Sequence, residues 1–213
     1  MFPKDGEKVP EIRFAGFEGE WEQRKLGDMG TTFTGLSGKT KEDFGHGDAK
    51  FVTYMNVFSN PVADLLKTES VEIDRSQNAV QYGDVFFTTS SETPEEVGMS
   101  SVWLESVENT YLNSFCFGYR PSVEIDPNYI AYMLRSDIVR KRIIYLAQGI
   151  SRYNISKNKV MEIEVPIPQL SEQKRIGEYF ATLDSLITHH QRRHDTLLEF
   201  KAYLLQNMFP KEG

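Results

Sequence analysis

The fold is decided by the stretch SEQKRIGEYFATLDSLITHHQRRHDTLLEFKAYLLQNM, which runs from Ser171 to Met208. It contains no proline and one glycine, Gly177. Pro166 and Pro168 block earlier helical growth, and Ser171 is a favoured N-cap residue. The stretch therefore predicts a single helix of 38 residues, about 57 Å long at about 1.5 Å per residue.

The apolar residues of this stretch recur at heptad spacing, which predicts a coiled coil. A terminal helix folded back on its own domain is the alternative, but the length favours a helix that meets a partner. A parallel pair would place His190 on His190 and Arg193 on Arg193, so we predict an antiparallel homodimer. The residues predicted to form its interface are Ile176, Leu183, Leu186, His190, Leu197 and Leu204.

The bulk composition is that of an ordinary globular protein with one domain and an appendage. The chain has 213 residues, 39% of them hydrophobic and 26% charged. No apolar run reaches the length of a membrane span and no signal peptide opens the sequence, so we expect a cytoplasmic protein. The single cysteine, Cys116, lies in an apolar run and is expected to be a buried thiol.

The charge is distributed unevenly along the sequence. The whole chain carries −7, yet residues 135–159 carry +6, which leaves −13 for the remainder. Such asymmetry indicates that one face meets an anion, although a merely solvated basic helix is the plain alternative. The two ends of the chain nearly repeat each other, since MFPKDG at residues 1–6 matches MFPKEG at residues 208–213 in five of six positions. This match suggests a unit that can follow itself head to tail.

The order of elements predicts an α+β fold of short strands and helices followed by the long helix. We place a globular domain at residues 1–170 and a separate dimerisation helix at residues 171–213. The predicted strands are residues 31–34, 51–54, 71–73, 85–89, 99–104, 111–119 and 160–165. The predicted short helices are residues 21–29, 128–134 and 137–147, with loops at 35–47, 90–98 and 150–158.

The sequence contains few signs of catalysis. It has no phosphate-binding loop, no nucleophile elbow and no zinc-protease motif. Glu172 and Lys174 have the spacing of some nucleases, but their place in the first turn of the helix favours a capping role. His190 and His194 could share a metal ion across one helical turn, but we expect no metal, because a polar core position that fixes register explains His190 better.

The loop from Gly149 to Ser156, GISRYNIS, is the most informative polar stretch. It combines a guanidinium, a phenol, an amide and two hydroxyls directly behind the basic segment. Arginine can fork onto guanine or clamp a phosphate, and asparagine can pair with adenine. From this chemistry the DNA-binding candidates are Lys39, Lys41, Ser90, Ser91, Arg140, Arg142, Arg152, Tyr153, Asn154, Lys157 and Lys159.

These residues resemble the specificity subunit of type I restriction-modification systems, in a half-length form. The similarity is carried by WEQRKLGD at residues 21–28, by GISRYNIS at residues 149–156, and by the entry to the long helix. That entry comprises Pro166-Ile167-Pro168, Glu172-Gln173, Ile176, Phe180, Leu183 and Asp184. Because base-reading residues vary with the target in this family, none is carried over by position.

The resemblance implies a DNA-recognition subunit without catalysis and without a cofactor of its own. Full-length members carry two recognition domains and two antiparallel helices, and each domain reads half of a bipartite target. Modification subunits, which bind S-adenosylmethionine, and a restriction subunit assemble around them. Two alternatives remain at this stage: a coiled-coil adaptor that binds protein partners without DNA, and an unrecognised nuclease or hydrolase.

Overall fold

A computed structural model describes residues 1–4 and 6–209, so parts of the two matching termini lie outside the described residues. The predicted α+β fold is confirmed, with short strands and helices followed by one long helix. In the described residues the helices are α1 (Tyr54–Ser59), α2 (Pro127–Met133), α3 (Asp137–Tyr145), α4 (Lys157–Met161) and α5 (Leu170–Asn207). The strands are β1 (Glu22–Lys25), β2 (Gly30–Thr34), β3 (Phe44–Val52), β4 (Thr68–Val71), β5 (Val85–Thr88), β6 (Ser90–Ser91), β7 (Ser100–Val102), β8 (Thr110–Leu112), β9 (Cys116–Pro121), β10 (Tyr153–Asn154) and β11 (Glu164–Ile167).

The main sheet has the order β2–β9–β5–β7, and every neighbouring pair is antiparallel. All four residues of β5 are buried, which is why this apolar run predicted a strand. Phe87 stacks on Phe117 of β9 with ring centroids 5.1 Å apart. At the far end of the sheet, Arg120 forms a two-pronged ion pair with the buried Asp84 and lies over the Phe33 ring.

A second sheet has the order β4–β3–β8, in which β3 and β8 run parallel. Residues from its two faces and from β5 fill two apolar clusters. One cluster surrounds Phe86 and Trp103, and the other surrounds Phe51 and Tyr111. Cys116 belongs to the first cluster, and burial raises the pKa of its thiol to about 12, as a buried structural cysteine requires.

The start of α5 is built into the globular part of the chain. Glu172 is buried and accepts two hydrogen bonds of 2.7 Å from Arg13. The Gln173 side chain accepts from the backbone N–H of Asp126 and donates to a carbonyl at Pro168. Glu172 therefore has a structural role, which agrees with the predicted preference over a nuclease motif.

Gly177, the only glycine of α5, allows the close approach of α2. A Cβ atom at this position would lie 2.5 Å from the Asp126 carboxylate and 2.8 Å from the backbone nitrogen of Tyr129. The chain divides into two compact units at this point, and the second begins at Glu178. The first unit therefore includes the first two turns of α5.

Several element predictions were wrong, and the structure shows the cause of each. Residues 21–29 form β1 and a 310 turn instead of a helix, because β1 pairs with β11 along its whole length. The predicted strand at 111–119 is two strands, since the Asn113 side chain caps a turn at Phe115. The strand predicted at 160–165 begins only at Glu164, after α4.

Two further boundaries differ from the predictions. A helix that the sequence did not predict, α1, begins where the Thr53 hydroxyl accepts from the backbone N–H of Asn56. The long helix begins at Leu170, and the carbonyl of Gln169 accepts its first hydrogen bonds. Ser171 therefore lies inside the first turn and is not the N-cap.

Candidate nucleic-acid interface

The arginines around α3 are engaged with the protein's own backbone. Arg135, just before the helix, donates from Nε to the carbonyl of Ser100 at 2.7 Å. Its Nη2 donates to the carbonyls of Val57, Phe58 and Asn60 at 2.8 to 3.0 Å. Carbonyls at the end of α1 and in β7 would otherwise lack donors, so Arg135 joins separate elements of the fold.

Arg140 has the same structural role, and its contact with DNA stays a prediction. Its guanidinium donates to the carbonyls of Glu95, Val97 and Gly98 at 2.7 to 2.8 Å. Desolvation on burial lowers the pKa of this guanidinium. Arg142 also turns inward and donates to the carbonyl of Glu164. The basic face of α3 is therefore largely committed to the fold.

The loop behind α3 forms a short hairpin, residues 148–154. Two backbone hydrogen bonds of 2.9 Å join Gln148 and Asn154 and close it. Gly149 has φ +147°, and a Cβ atom there would lie 2.0 Å from the carbonyl oxygen of Arg152. The 148–154 hairpin therefore requires glycine at this position, which explains why the polar loop opens with one.

The 148–154 hairpin is attached to the body by β10, its last two residues. Tyr153 and Asn154 pair with Ser91 and Ser90 of β6, and the backbone N–H of Ile155 donates to the carbonyl of Thr89 at 3.0 Å. Ser90 and Ser91 are buried by this pairing. The two serines therefore support the hairpin through backbone pairing, and their contact with DNA stays a prediction.

The predicted binding residues of the hairpin and of α4 are exposed to solvent or half-buried. Arg152, Asn154, Lys157 and Lys159 are exposed, and Tyr153 is half-buried. Lys157 also lines a groove of about 360 Å³ together with the backbone turn at 34–37, Thr89 and Ser114. The structure thus brings the predicted residues of 152–159 together beside the glycine-rich loop that follows β2.

Of the two lysines predicted in that glycine-rich loop, one is already paired. Lys39 lies 2.9 Å from Asp74, and this hydrogen bond raises the pKa of the lysine. Asp74 accepts from the Ser76 hydroxyl as well as from Lys39, and these bonds hold the pKa of its carboxyl well below the usual range. Lys41 lies exposed in a 310 turn and is the better placed of the two for an external anion.

Sequence reasoning missed two exposed apolar residues beside these bases. Ile150, at the tip of the 148–154 hairpin, is 96% exposed, and Phe115, in the turn between β8 and β9, is 58% exposed. Nothing in their sequence context separates them from buried neighbours such as Ile155 or Phe117. Their exposure follows from backbone pairings that the residue pattern does not reveal.

The second unit presents an apolar stripe along α5. Leu186 and Leu197 are exposed, and Leu183 and Leu204 are half-buried, with exposed Phe200 and Tyr203 beside them. His190 is exposed as well. Ile176 is 1% exposed within the first unit, so its prediction as an interface residue is corrected.

The structure adds two observations on other classes of function. Within residues 1–4 and 6–209, no group of three or more His, Cys, Asp or Glu side chains is arranged to hold a metal ion. Over the same residues, no helix combines the length and the apolar character needed to cross a membrane.

Comparison with known proteins gives a consistent family. The family model described as "Type I restriction modification DNA specificity domain" matches residues 18–199. The putative type I restriction enzyme MjaX specificity subunit of Methanocaldococcus jannaschii is 24% identical over 200 residues, which cover 90% of this chain and 46% of the relative. The type I restriction enzyme StySPI specificity subunit of Salmonella potsdam is 36% identical over 100 residues, or 47% of this chain and 21% of the relative.

A solved structure shares the fold. The S subunit of the type I restriction-modification system from M. genitalium superposes with a TM-score of 0.56 at 17% identity, over 96% of this chain and 46% of that chain. The chain thus spans less than half the length of the relatives it matches.

Proposed function

Because this chain belongs to the family of type I restriction-modification DNA specificity domains, we propose that it is a DNA-recognition subunit that reads half of a bipartite target. The observation that carries the proposal, beside the family, is the 148–154 hairpin with the exposed bases Arg152, Lys157 and Lys159 at its side. Exposed bases bind the phosphate backbone, and a rigid polar loop can read base edges.

The proposal assigns no catalytic step to this chain. Methylation falls to modification subunits, which carry S-adenosylmethionine, and cleavage falls to a restriction subunit. The chain contributes sequence preference and a scaffold for these partners. The names of its relatives, specificity subunits of type I restriction enzymes, support the role in specificity.

The chain forms an antiparallel homodimer through α5 in this proposal. Leu186, Leu197 and Phe200, at a and d positions of the heptads, are 49%, 58% and 56% exposed, and water disfavours such a stripe. An antiparallel pair related by a two-fold axis presents two identical recognition domains, so we expect the target to be a bipartite palindrome.

One register of that dimer places apolar residues on apolar residues and polar on polar. In an antiparallel pair an a residue of one helix faces a d residue of the other. The facing pairs are then Tyr179 with Leu204, Leu183 with Phe200, Leu186 with Leu197, and His190 with Arg193. The central polar layers fix the register at some loss of stability, as buried polar positions do in coiled coils. In this register Ile176 would face Asn207, so the burial of Ile176 in the first unit removes no apolar layer.

The dimer is tested by light scattering on the purified chain. Leu183→Glu with Leu197→Glu should yield monomers, because each change places a carboxylate in an apolar layer. Leu198→Glu is the matched control, since Leu198 is an equally exposed leucine outside the a and d positions. A wild-type chain that stays monomeric at tens of micromolar, or a control that dissociates equally, contradicts the dimer.

DNA recognition is tested by sequencing the methylated positions in the genome of cells that carry the intact system. A palindromic bipartite motif supports recognition by two copies of this chain. The adaptor alternative predicts a protein partner but no DNA affinity that falls with rising salt concentration. A chain that shows no such affinity, alone or with modification subunits, contradicts the proposed function.

A further inference from the structure

The two isoleucines of the GISRYNIS loop lie in opposite environments. Ile155, at the foot of the 148–154 hairpin, is 8% exposed and packs near Ile143 around Gly98. Ile150, at the tip, is 96% exposed. Single exposed apolar residues are common on protein surfaces, so exposure alone assigns no role to Ile150. Ile150 differs from other exposed apolar residues in the hairpin backbone that presents it and in the basic residue near it, Arg152.

The backbone that presents Ile150 is closed at its base and joined to the body. The two 2.9 Å hydrogen bonds between Gln148 and Asn154 close the base of the 148–154 hairpin, and the pairing with β6 attaches it to the body. The Asn154 amide donates to the carbonyl of Arg152 at 3.4 Å, and a Cβ atom on Gly149 would lie 2.0 Å from that same carbonyl oxygen. A loop that is closed at its base loses less entropy on binding than an unconstrained one.

The 148–154 hairpin is a loop closed by one bridge, from Gln148 to Asn154. Of the two grooves of B-DNA, the major groove, about 12 Å wide, has more room for such a loop than the minor groove, about 6 Å wide. The major groove offers one apolar group, the C5-methyl of thymine, and guanine offers a pair of acceptors there. The tip carries one aliphatic side chain, Ile150, and one guanidinium, Arg152, two residues away.

We infer that the 148–154 hairpin enters the major groove and that Ile150 reads a thymine by packing on its C5-methyl group. This inference rests on the proposed function and makes it more specific. Arg152 lies beside Ile150 for a neighbouring base pair or phosphate, and Lys157 contacts the flanking backbone from α4. Ile150 thereby determines specificity through an apolar contact and contributes nothing to the electrostatic part of binding.

The test combines a change in the DNA with a change in the protein. The full chain, alone and assembled with its modification subunits, selects its preferred duplexes from a random library. Each preferred thymine is then replaced by uracil, which keeps the base pair and removes only the methyl group. We expect one such replacement to weaken wild-type binding about three- to tenfold, the effect of one buried methyl. Ile150→Ala should bind more weakly by a similar factor and should show no further loss with uracil.

Two control variants separate this contact from general damage to the protein. Ile150→Leu retains an apolar side chain and should retain most of the preference for thymine over uracil. Ile12→Ala removes another exposed isoleucine, 67% exposed and outside the 148–154 hairpin, and should change nothing. Circular dichroism and the unfolding midpoint should be the same for all variants, because neither side chain packs in the core.

The outcomes distinguish this inference from the function beneath it. Sequence-dependent binding with no uracil penalty at any position, or with a penalty that persists in Ile150→Ala, overturns the role of Ile150 and leaves DNA recognition intact. A selected sequence without thymine in the preferred positions overturns it as well. No sequence-dependent binding in either form of the protein overturns both.

Discussion

The arginines in and just before α3 and the bases of the 148–154 hairpin and α4 are all positively charged, but the first group faces the protein and the second group faces solvent. Arg135, Arg140 and Arg142 donate to carbonyls of the chain itself. Arg152, Lys157 and Lys159 follow within a few residues and are exposed. The +6 window of the sequence therefore contains two groups of bases: arginines that donate to the protein's own carbonyls, and exposed bases that remain available to an anion.

The difference has a physical cause. A guanidinium offers five donors in a plane and can satisfy several carbonyls at once, which suits the ends of short helices and strands. Lysine offers one compact charge on a flexible stem, which remains in water unless a partner holds it. Within residues 135–159, the bases that face the protein are arginines, whereas the two lysines of α4, Lys157 and Lys159, are exposed.

Breaking the internal clamp should have the largest effect. Arg135→Ala removes donors from four carbonyls, and we expect it to lower the free energy of unfolding by about 3 kcal/mol. Arg135→Lys should rescue little, because one ammonium group cannot reach all four. Denaturant unfolding measures both. Lys141→Ala, an exposed base in α3, is the control and should change stability by less than about 0.5 kcal/mol.

Arg140→Ala should show the same behaviour on a smaller scale. The carbonyls of Glu95, Val97 and Gly98 lose their donor, and we expect a loss of about 2 kcal/mol in the free energy of unfolding. The folded fraction should bind DNA with wild-type affinity. A variant that is fully stable but binds DNA weakly would show that Arg140 contacts DNA.

Arg152→Gln tests what the external face contributes to preference. If Arg152 forks onto a guanine, discrimination at one base pair should fall by about 1 to 3 kcal/mol, with the protein equally stable. If it contacts a phosphate, affinity for all sequences should fall alike and the salt dependence should weaken. Binding measured on the preferred duplex and on its single-base variants separates the two. Unchanged binding on every duplex would remove Arg152 from the interface.

The smallest expected effect comes from removing one of the two carboxylates beside Lys39. Asp74→Asn breaks the 2.9 Å ion pair but leaves Asp43 4.0 Å away, and the Lys39 side chain is 13% exposed, so we expect DNA affinity at low salt to rise at most about twofold. Asp48→Asn is the matched control, because it removes an exposed carboxylate without releasing a lysine. Equal gains in both variants would show that only net charge matters.

The acid dependence of this pair has a defined sign. The carboxyl pKa of Asp74 is lowered in the folded chain, so its stabilising contacts are fully present above the ordinary value of 3.8. They are lost only as the pH falls through the lowered value. Lys39 therefore stays paired at neutral pH.

The sequence predicted the parts of the fold that rest on local pattern. The buried strand at β5, the helices after Pro127 and Ser136 and the long α5 all carry periodicity or caps that can be read directly. It did not predict β1, because Gln23 and Arg24 belong to a wholly polar run that lacks the apolar–polar alternation of a half-buried strand. That strand exists because β11, more than a hundred residues later, pairs with it.

The candidate site was predictable in composition but not in geometry. The stretch 149–156 was predicted as a polar loop, and its one base, Arg152, is exposed; the pairing of Tyr153 and Asn154 with β6 was not predicted. Residue type could not show that Ser90 and Ser91 lie beneath it, that Arg140 faces inward, or that Ile150 and Ile155 have opposite environments. Each of these depends on a partner distant in sequence.

We expect the bases around the 148–154 hairpin, and not those of α3, to meet DNA. The slope of log affinity against log salt concentration for two matched single variants distinguishes the two groups of bases. Lys157→Ala should reduce the slope by about 0.9, the share of one phosphate contact, and Lys141→Ala should leave it unchanged. An unchanged slope for Lys157→Ala, together with a reduced slope for Lys141→Ala, would contradict the claim.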